Sequence, residues 1–225
     1  DLELAQDHCQ EALLLAKQNK NLLFETLLSI DHLQLLMMRG ECEKAEHYAN
    51  QTLQLIRDAD VHGPVYARLL MLSGCLLATL GDYANARTIL QEGVAEAEAC
   101  EDAYMLFGYL GLAQLATEDG RLEQADKLLQ DAEKHMLHYQ VPVVRYCEAL
   151  DFARAELCLR AGRAEQALAI FTKVRERLEA GVLLSTSGFY DLLLKTRLSQ
   201  ATTEIALGSP QRAVTSLREL LQDCL

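Results

Sequence analysis

Apolar positions recur along this chain at helical spacing, as in Leu69, Leu70, Leu76, Leu77 and Leu80, and such runs end at a glycine followed five residues later by alanine. The pairs are Gly40 and Ala45, Gly81 and Ala86, Gly120 and Ala125, Gly162 and Ala167, and Gly208 and Ala213. Their spacing of about 40 residues is that of a helical-hairpin repeat. Seven positions before the glycine stands a small residue (Gly74, Ala113, Ala155, Ala201), with Leu33 departing. Four positions past the alanine comes Ala49, Leu90, Leu129, Phe171 or Leu217. Each unit therefore reads as a helix A, a glycine able to take the left-handed conformation that ends it, and a helix B whose alanine lets two backbones approach. Helix B buries a stripe against helix A, one hairpin cannot bury both faces, and the repeats must stack.

This pattern predicts an all-α fold: a right-handed superhelix, or α-solenoid, of about five helical hairpins plus an N-terminal half repeat. The half repeat is 1–18, the hairpins are 22–58, 64–99, 102–139, 142–179 and 187–223, and together they form one solenoid over 1–225. Within the half repeat Ala5, Cys9 and Ala12 reproduce the spacing of Ala125, Leu129 and Ala132, so the chain is expected to begin in mid-repeat. It also ends at Cys224-Leu225 without a polar capping helix, as a fragment of a longer protein would. Pro64 and Pro210 suit the first turn of a helix, and Val141-Pro142 is expected to break the chain and restart it. The stretch 180–188 reads as irregular, with Ser187 a candidate cap for the next helix.

Composition agrees, with three Pro and no Trp in a chain rich in Ala, Leu, Glu and Gln. Every apolar run is broken by polar residues, so none reaches the roughly 20 residues of a membrane span, and no secretory leader is visible. The seven cysteines (Cys9, Cys42, Cys75, Cys100, Cys147, Cys158, Cys224) are odd in number and lack a CxxC pair. They read as reduced thiols of a cytoplasmic protein rather than a disulfide framework or a zinc site. A formal net charge of −12 argues against a nucleic-acid surface.

No enzymatic constellation emerges, and no catalytic residue, metal or cofactor is assigned. His135 and His138 lie one turn apart and join Glu133 as a drawable metal site, but a solvated helical face accounts for them. His8 and His47 lack a base-and-orienter partner. Binding is the better expectation, because stacked A helices line the inner, concave wall of such a superhelix. Counting back from each glycine selects Arg68, Phe107, Gln114, Phe152, Glu156 and Lys195 as ligand- or partner-binding candidates. The same positions also suit packing between repeats. Glu148, Asp151, Arg154, Arg197 and Glu204 form a polar set in the last two A helices. That set serves either as a ligand floor or as an inter-repeat salt-bridge network, with Asp151 and Arg154 spaced to pair along the helix.

The pattern resembles the tetratricopeptide repeat, with a longer period and few of that family's aromatic residues. Stretches such as Gly120-Arg121-Leu122-Glu123-Gln124-Ala125 and Gly162-Arg163-Ala164-Glu165-Gln166-Ala167-Leu168 are similar to the superhelical sensor region of MalT-like, ATP-dependent LuxR-type transcription activators. The resemblance covers essentially the whole chain. It implies a regulatory domain that binds a small-molecule inducer or a protein or peptide partner. An ATPase module would precede it and a helix-turn-helix DNA reader would follow, so this segment itself would not contact DNA. No P-loop GxxxxGK[ST] occurs here. The alternative is a generic tetratricopeptide-like adaptor between proteins; the oligomeric state is not legible.

Overall fold

The structure, a computed structural model, describes residues 2–103, 105–138, 144–180 and 187–223. Among the described residues there are eleven α-helices and no strand, and the fold is an α-solenoid of helical hairpins. The helices are α1 (Leu2–Gln18), α2 (Leu22–Met38), α3 (Cys42–Asp58), α4 (Pro64–Thr79), α5 (Tyr83–Ala99), α6 (Met105–Glu118), α7 (Leu122–His138), α8 (Val144–Arg160), α9 (Ala164–Ala180), α10 (Ser187–Ala206) and α11 (Pro210–Asp223). They fall into two compact units, Asp1–Leu115 and Ala116–Leu225.

Each hairpin turn is built the same way. Gly81 has φ +86°, its N–H bonds to the carbonyl of Ala78, and the next N–H, of Asp82, reaches back to Leu77. This pair of bonds satisfies carbonyls that the end of α4 leaves open. The same two bonds recur at Gly40, Gly120, Gly162 and Gly208, each with φ between +72° and +75°. A Cβ added at any of these five glycines would meet nothing within 4 Å, so it is the backbone angle that selects glycine there. The residue after the glycine opens helix B directly; Asp82, for example, accepts the Asn85 N–H at 3.2 Å as an N-cap.

The repeat alanines are at the packing centres. Ala45, Ala86, Ala125 and Ala167 are fully buried, and Ala213 is nearly so. The small residue of helix A is buried as well, and at Leu33, where the pattern departs, the larger side chain is also fully enclosed. In the first unit Leu33, Leu36, Leu53, Ile56, Leu69 and Leu76 form the main core, and Leu90 joins Ala86 and Leu115 in a second cluster. In the second unit Phe171 packs with Ala155, Cys158 and Ala167, while Val174 and Leu178 meet Leu193. The position four past the alanine is buried at Ala49, Leu90, Leu129 and Phe171, but Leu217 on α11 is 37% exposed, since among the described residues no later helix covers it.

Three further details differ from the sequence pattern or fall beyond it. Helix α6 begins at Met105 rather than 102, because Glu101 turns left-handed and Asp102 bonds back to Ala97. Ser187 is the first residue of α10 rather than a residue preceding it. The expected break at Val141-Pro142, residues 181–186 of the irregular stretch and Cys224-Leu225 lie outside the described residues. Pro64 and Pro210 do open α4 and α11, preceded by Gly63 and Ser209.

Candidate functional site

Helices A of neighbouring repeats touch: α2 contacts α4 in the first unit, and α8 contacts α10 in the second. A hydrogen bond from Ser199 on α10 to Glu156 on α8 ties the latter pair. Phe152 lies one turn before Glu156, and Lys195 one turn before Ser199, so these candidates belong to neighbouring segments of one two-helix layer. Lys195 is exposed, whereas Phe152 is half-buried with its ring tilted against Phe171, centroids 5.6 Å apart. In the first unit, Arg68 sits on α4 with its guanidinium 3.7 Å from the Asp102 carboxylate of the α5–α6 joint. Phe107 and Gln114 are two turns apart on α6, the first half-buried and the second exposed. The six candidates therefore include packed groups (Phe107, Phe152), ion-paired or hydrogen-bonded ones (Arg68, Glu156) and exposed polar ones (Gln114, Lys195).

The polar set of the last two A helices is wired between helices. Arg154 of α8 grips Glu133 of α7 with two bonds, of 3.3 and 2.7 Å, and this holds the Glu133 carboxyl below the usual carboxylate range. Asp151 accepts from Arg177 of α9, which also lies 3.4 Å from the buried Glu148. Glu204 accepts from Ser216 of α11 at 3.3 Å. The expected pairing of Asp151 with Arg154 along α8 is thus replaced by pairs to the helices on either side, which supply closer partners than a side chain one turn away. With Glu133 engaged by Arg154, the drawn site with His135 and His138 loses a ligand, and among the described residues no group of three His, Cys, Asp or Glu is placed to hold a metal.

The sequence pattern did not single out a groove of about 510 Å³ on the first repeat. Its wall takes Gln6 and Gln10 from α1, His32 and Leu36 from α2, and Lys44 and Tyr48 from α3. His32 is buried edge-on to Tyr48, with ring centroids 4.8 Å apart, and burial pulls its pKa below the ordinary histidine value. The Tyr48 hydroxyl shares a 2.9 Å bond with Ser29, while burial raises its pKa. Glu41, also on the wall, is held by Arg39 at 2.7 Å and Lys44 at 2.6 Å, bonds that lower its pKa. A second groove, of about 360 Å³, is lined by Glu204, Arg212, Ser216 and Glu219 at the α10–α11 hairpin. None of the six candidate residues lines either groove.

Repeated hairpins with polar and aromatic groups along contacting A helices define a class: tetratricopeptide-like repeat domains, interaction scaffolds that bind a ligand or partner. The model of the MalT-like TPR region matches residues 1–224, and the chain belongs to that family. Among solved structures it is similar to a Rap protein complexed with competence and sporulation factor, at 15% identity and a TM-score of 0.77, covering 99% of this chain and 58% of that one. BtubC (BKLC) from P. vanneervenii matches at 12% identity and a TM-score of 0.66, over 99% of this chain and 90% of that one. A tetratricopeptide repeat protein from Parabacteroides merdae matches at 12% identity and a TM-score of 0.57, over 99% and 73%. At these identities the likeness is one of fold. No curated protein matches the sequence. No described helix is long and apolar enough to cross a membrane, and the six described cysteines are free thiols.

Proposed function

We propose that this chain is the effector- or partner-binding regulatory domain of a MalT-like, LuxR-family transcription activator, that it is not an enzyme, and that it works in the cytoplasm. The observation that carries this reading is the family match from end to end, residues 1–224. Recognition occurs on the wall formed by the A helices, through Arg68, Phe107, Gln114, Phe152, Glu156 and Lys195. A solved structure of similar fold, the Rap protein, is complexed with a competence and sporulation factor, which supports an effector-binding use of such a scaffold. Binding one state of the layer better than another shifts how the repeats pack, and this shift is what the neighbouring modules read. The net charge of −12 leaves DNA contact to another module.

The test is to sequence the reading frame on both sides of residues 1–225 and to assay the full protein with candidate effectors. An ATPase module upstream, a helix-turn-helix reader downstream and a thermal shift with a small effector are expected. If neither module is encoded and only a captured protein shifts the melting temperature, the chain is an adaptor and the sensor reading is overturned.

A further inference from the structure

We propose that the outer face of α1 is a docking surface for a basic amphipathic helix of another protein. Helix α1 is in register with the other B helices, its Ala5, Cys9 and Ala12 standing where α7 has Ala125, Leu129 and Ala132. In that register Leu4 takes the place of Lys44, Asn85, Gln124, Gln166 and Arg212, and Leu14 that of Gln54, Ala95, Lys134, Glu176 and Gln222. All of these counterparts are exposed, so the stacking of hairpins leaves both positions in water. Among the B helices only α1 puts a large apolar side chain at either of them, and Leu4 is 54% and Leu14 56% exposed, with Leu15 beside the latter at 52%. A scattered exposed leucine needs no explanation, but apolar residues at both ends of one helix face mark a contact surface.

The residues between the leucines select the partner. Leu4, Asp7, Glu11 and Leu14 follow one another at steps of three, four and three residues, the spacing of a seam along which one helix meets another. The two leucines stand about 15 Å apart along the axis, with the exposed carboxylates of Asp7 and Glu11 between them. Lys17, the one lysine of α1, is turned to Glu25 of α2 at 3.8 Å and does not neutralise them. A second copy of this chain does not fit the seam. The antiparallel register that sets Leu4 against the partner's Leu14 places Asp7 opposite the partner's Glu11, and a parallel register sets each acid against itself. An anionic lipid surface is repelled by the same two acids. A helix whose seam reads apolar, basic, basic, apolar fits, because its cations meet Asp7 and Glu11 while its apolar side chains cover Leu4 and Leu14. Helix α1 carries none of the six A-helix candidates, so this docking and the regulatory reading above stand or fall separately.

The experiment is a methyl-NMR titration of the 225-residue chain with peptides on one Ala–Gln background, about 18 residues long so that they are helical alone. Their seams read Leu-Lys-Lys-Leu, Leu-Gln-Gln-Leu, Leu-Glu-Glu-Leu and Ser-Lys-Lys-Ser. The Leu-Lys-Lys-Leu peptide is expected to shift the Leu4, Leu14 and Leu15 methyl resonances saturably, and each of the others to bind more weakly. Leu14→Gln, the residue that α3 and α11 carry at this place, should weaken that binding by ~5-fold or more. Asp7→Lys with Glu11→Lys should turn the preference to the Leu-Glu-Glu-Leu peptide. The same change of net charge on exposed positions of α7, Glu123→Lys with Asp126→Lys, should leave the preference as it was. Absence of a saturable shift, equal binding of the Ser-Lys-Lys-Ser peptide, or an unchanged preference after the reversal on α1 would overturn the proposal. So would self-association of the chain alone, seen by sedimentation and abolished by Leu14→Gln, since a second copy would then be the occupant.

Discussion

The turns inside the hairpins and the joints between them use one hydrogen-bond motif with different residues. Inside the hairpins the left-handed position is always glycine: Gly40, Gly81, Gly120, Gly162 and Gly208. At the described joints the same two backbone bonds form around Lys20, Asp60 and Glu101, with φ of +52° to +53°. A side chain in that conformation costs roughly 1–2 kcal/mol, which glycine avoids. Hairpin turns hold only the glycine and the residue that opens helix B, so there is little room to compensate. The joints around Asp60 and Glu101 are longer, at five residues against three, whereas the one around Lys20 is as short as a hairpin turn and has Asn21 as the N-cap of α2, accepting from the Phe24 N–H. Between α3 and α4, Glu96 of α5 accepts from the Gly63 N–H at 2.6 Å and from His62 at 3.1 Å, while Arg57 and Tyr66 both bond Glu92 one turn earlier. Strain at a joint is tolerated where neighbouring helices hold it from outside, and removed by glycine where the turn has only itself.

Four measurements sharpen or break this contrast. The largest effect is expected at a glycine chosen for space rather than angle. Gly108 lies inside α6, and a Cβ there would overlap Val94 Cγ2, so Gly108→Leu should lower stability by about 3 kcal/mol in urea unfolding. A small loss would show that α5 and α6 can slide apart. Next, Gly81→Ala should cost about 1–2 kcal/mol, with the same result at the other four hairpin glycines, since only the angle is violated. A loss that differed widely among the five would mean that packing also selects them.

Glu101→Gly should do the opposite and raise the urea midpoint by the equivalent of about 0.5 kcal/mol, the relief of strain less the added freedom of the unfolded chain. Destabilisation instead would reveal a role for the Glu101 side chain. The smallest effect is a pH dependence of two signs. Hydrogen bonding to Glu96, then its charge, raises the pKa of the exposed His62. Its contribution is complete below the ordinary histidine pKa of ~6.5 and fades as pH rises through the raised folded value. Burial depresses His32, whose contribution is complete above ~6.5 and is lost as pH falls through that range toward the lower folded value. His62→Gln should remove the first slope of urea midpoint against pH and leave the second.

Much of the architecture was legible because glycine has a conformational privilege that marks it in sequence. The residues that turn the chain at the joints were not, since Lys20, Asp60 and Glu101 carry no mark of the left-handed angle they adopt. Counting from the glycines selects positions along the A helices but says nothing of their partners. Asp102, beside Arg68, and Ser199, beside Glu156, come from the next repeat, where spacing within one helix says nothing. The groove was missed for the same reason, as its wall draws on three helices. No signal marked it: eight positions before the hairpin glycine the copies carry His32, Ser73, Leu112, Arg154 and Gln200, polar in four of five, and Asp31 and Gln34 flank His32.

By itself the sequence determined which segments are helices, where they reverse and which stripe each buries, because periodicity and glycine act over one or two turns. Tertiary structure alone decided which charges pair and which non-glycine residues bear a left-handed angle. Those outcomes depend on distances between side chains tens of residues apart, and such distances are set only when the hairpins pack.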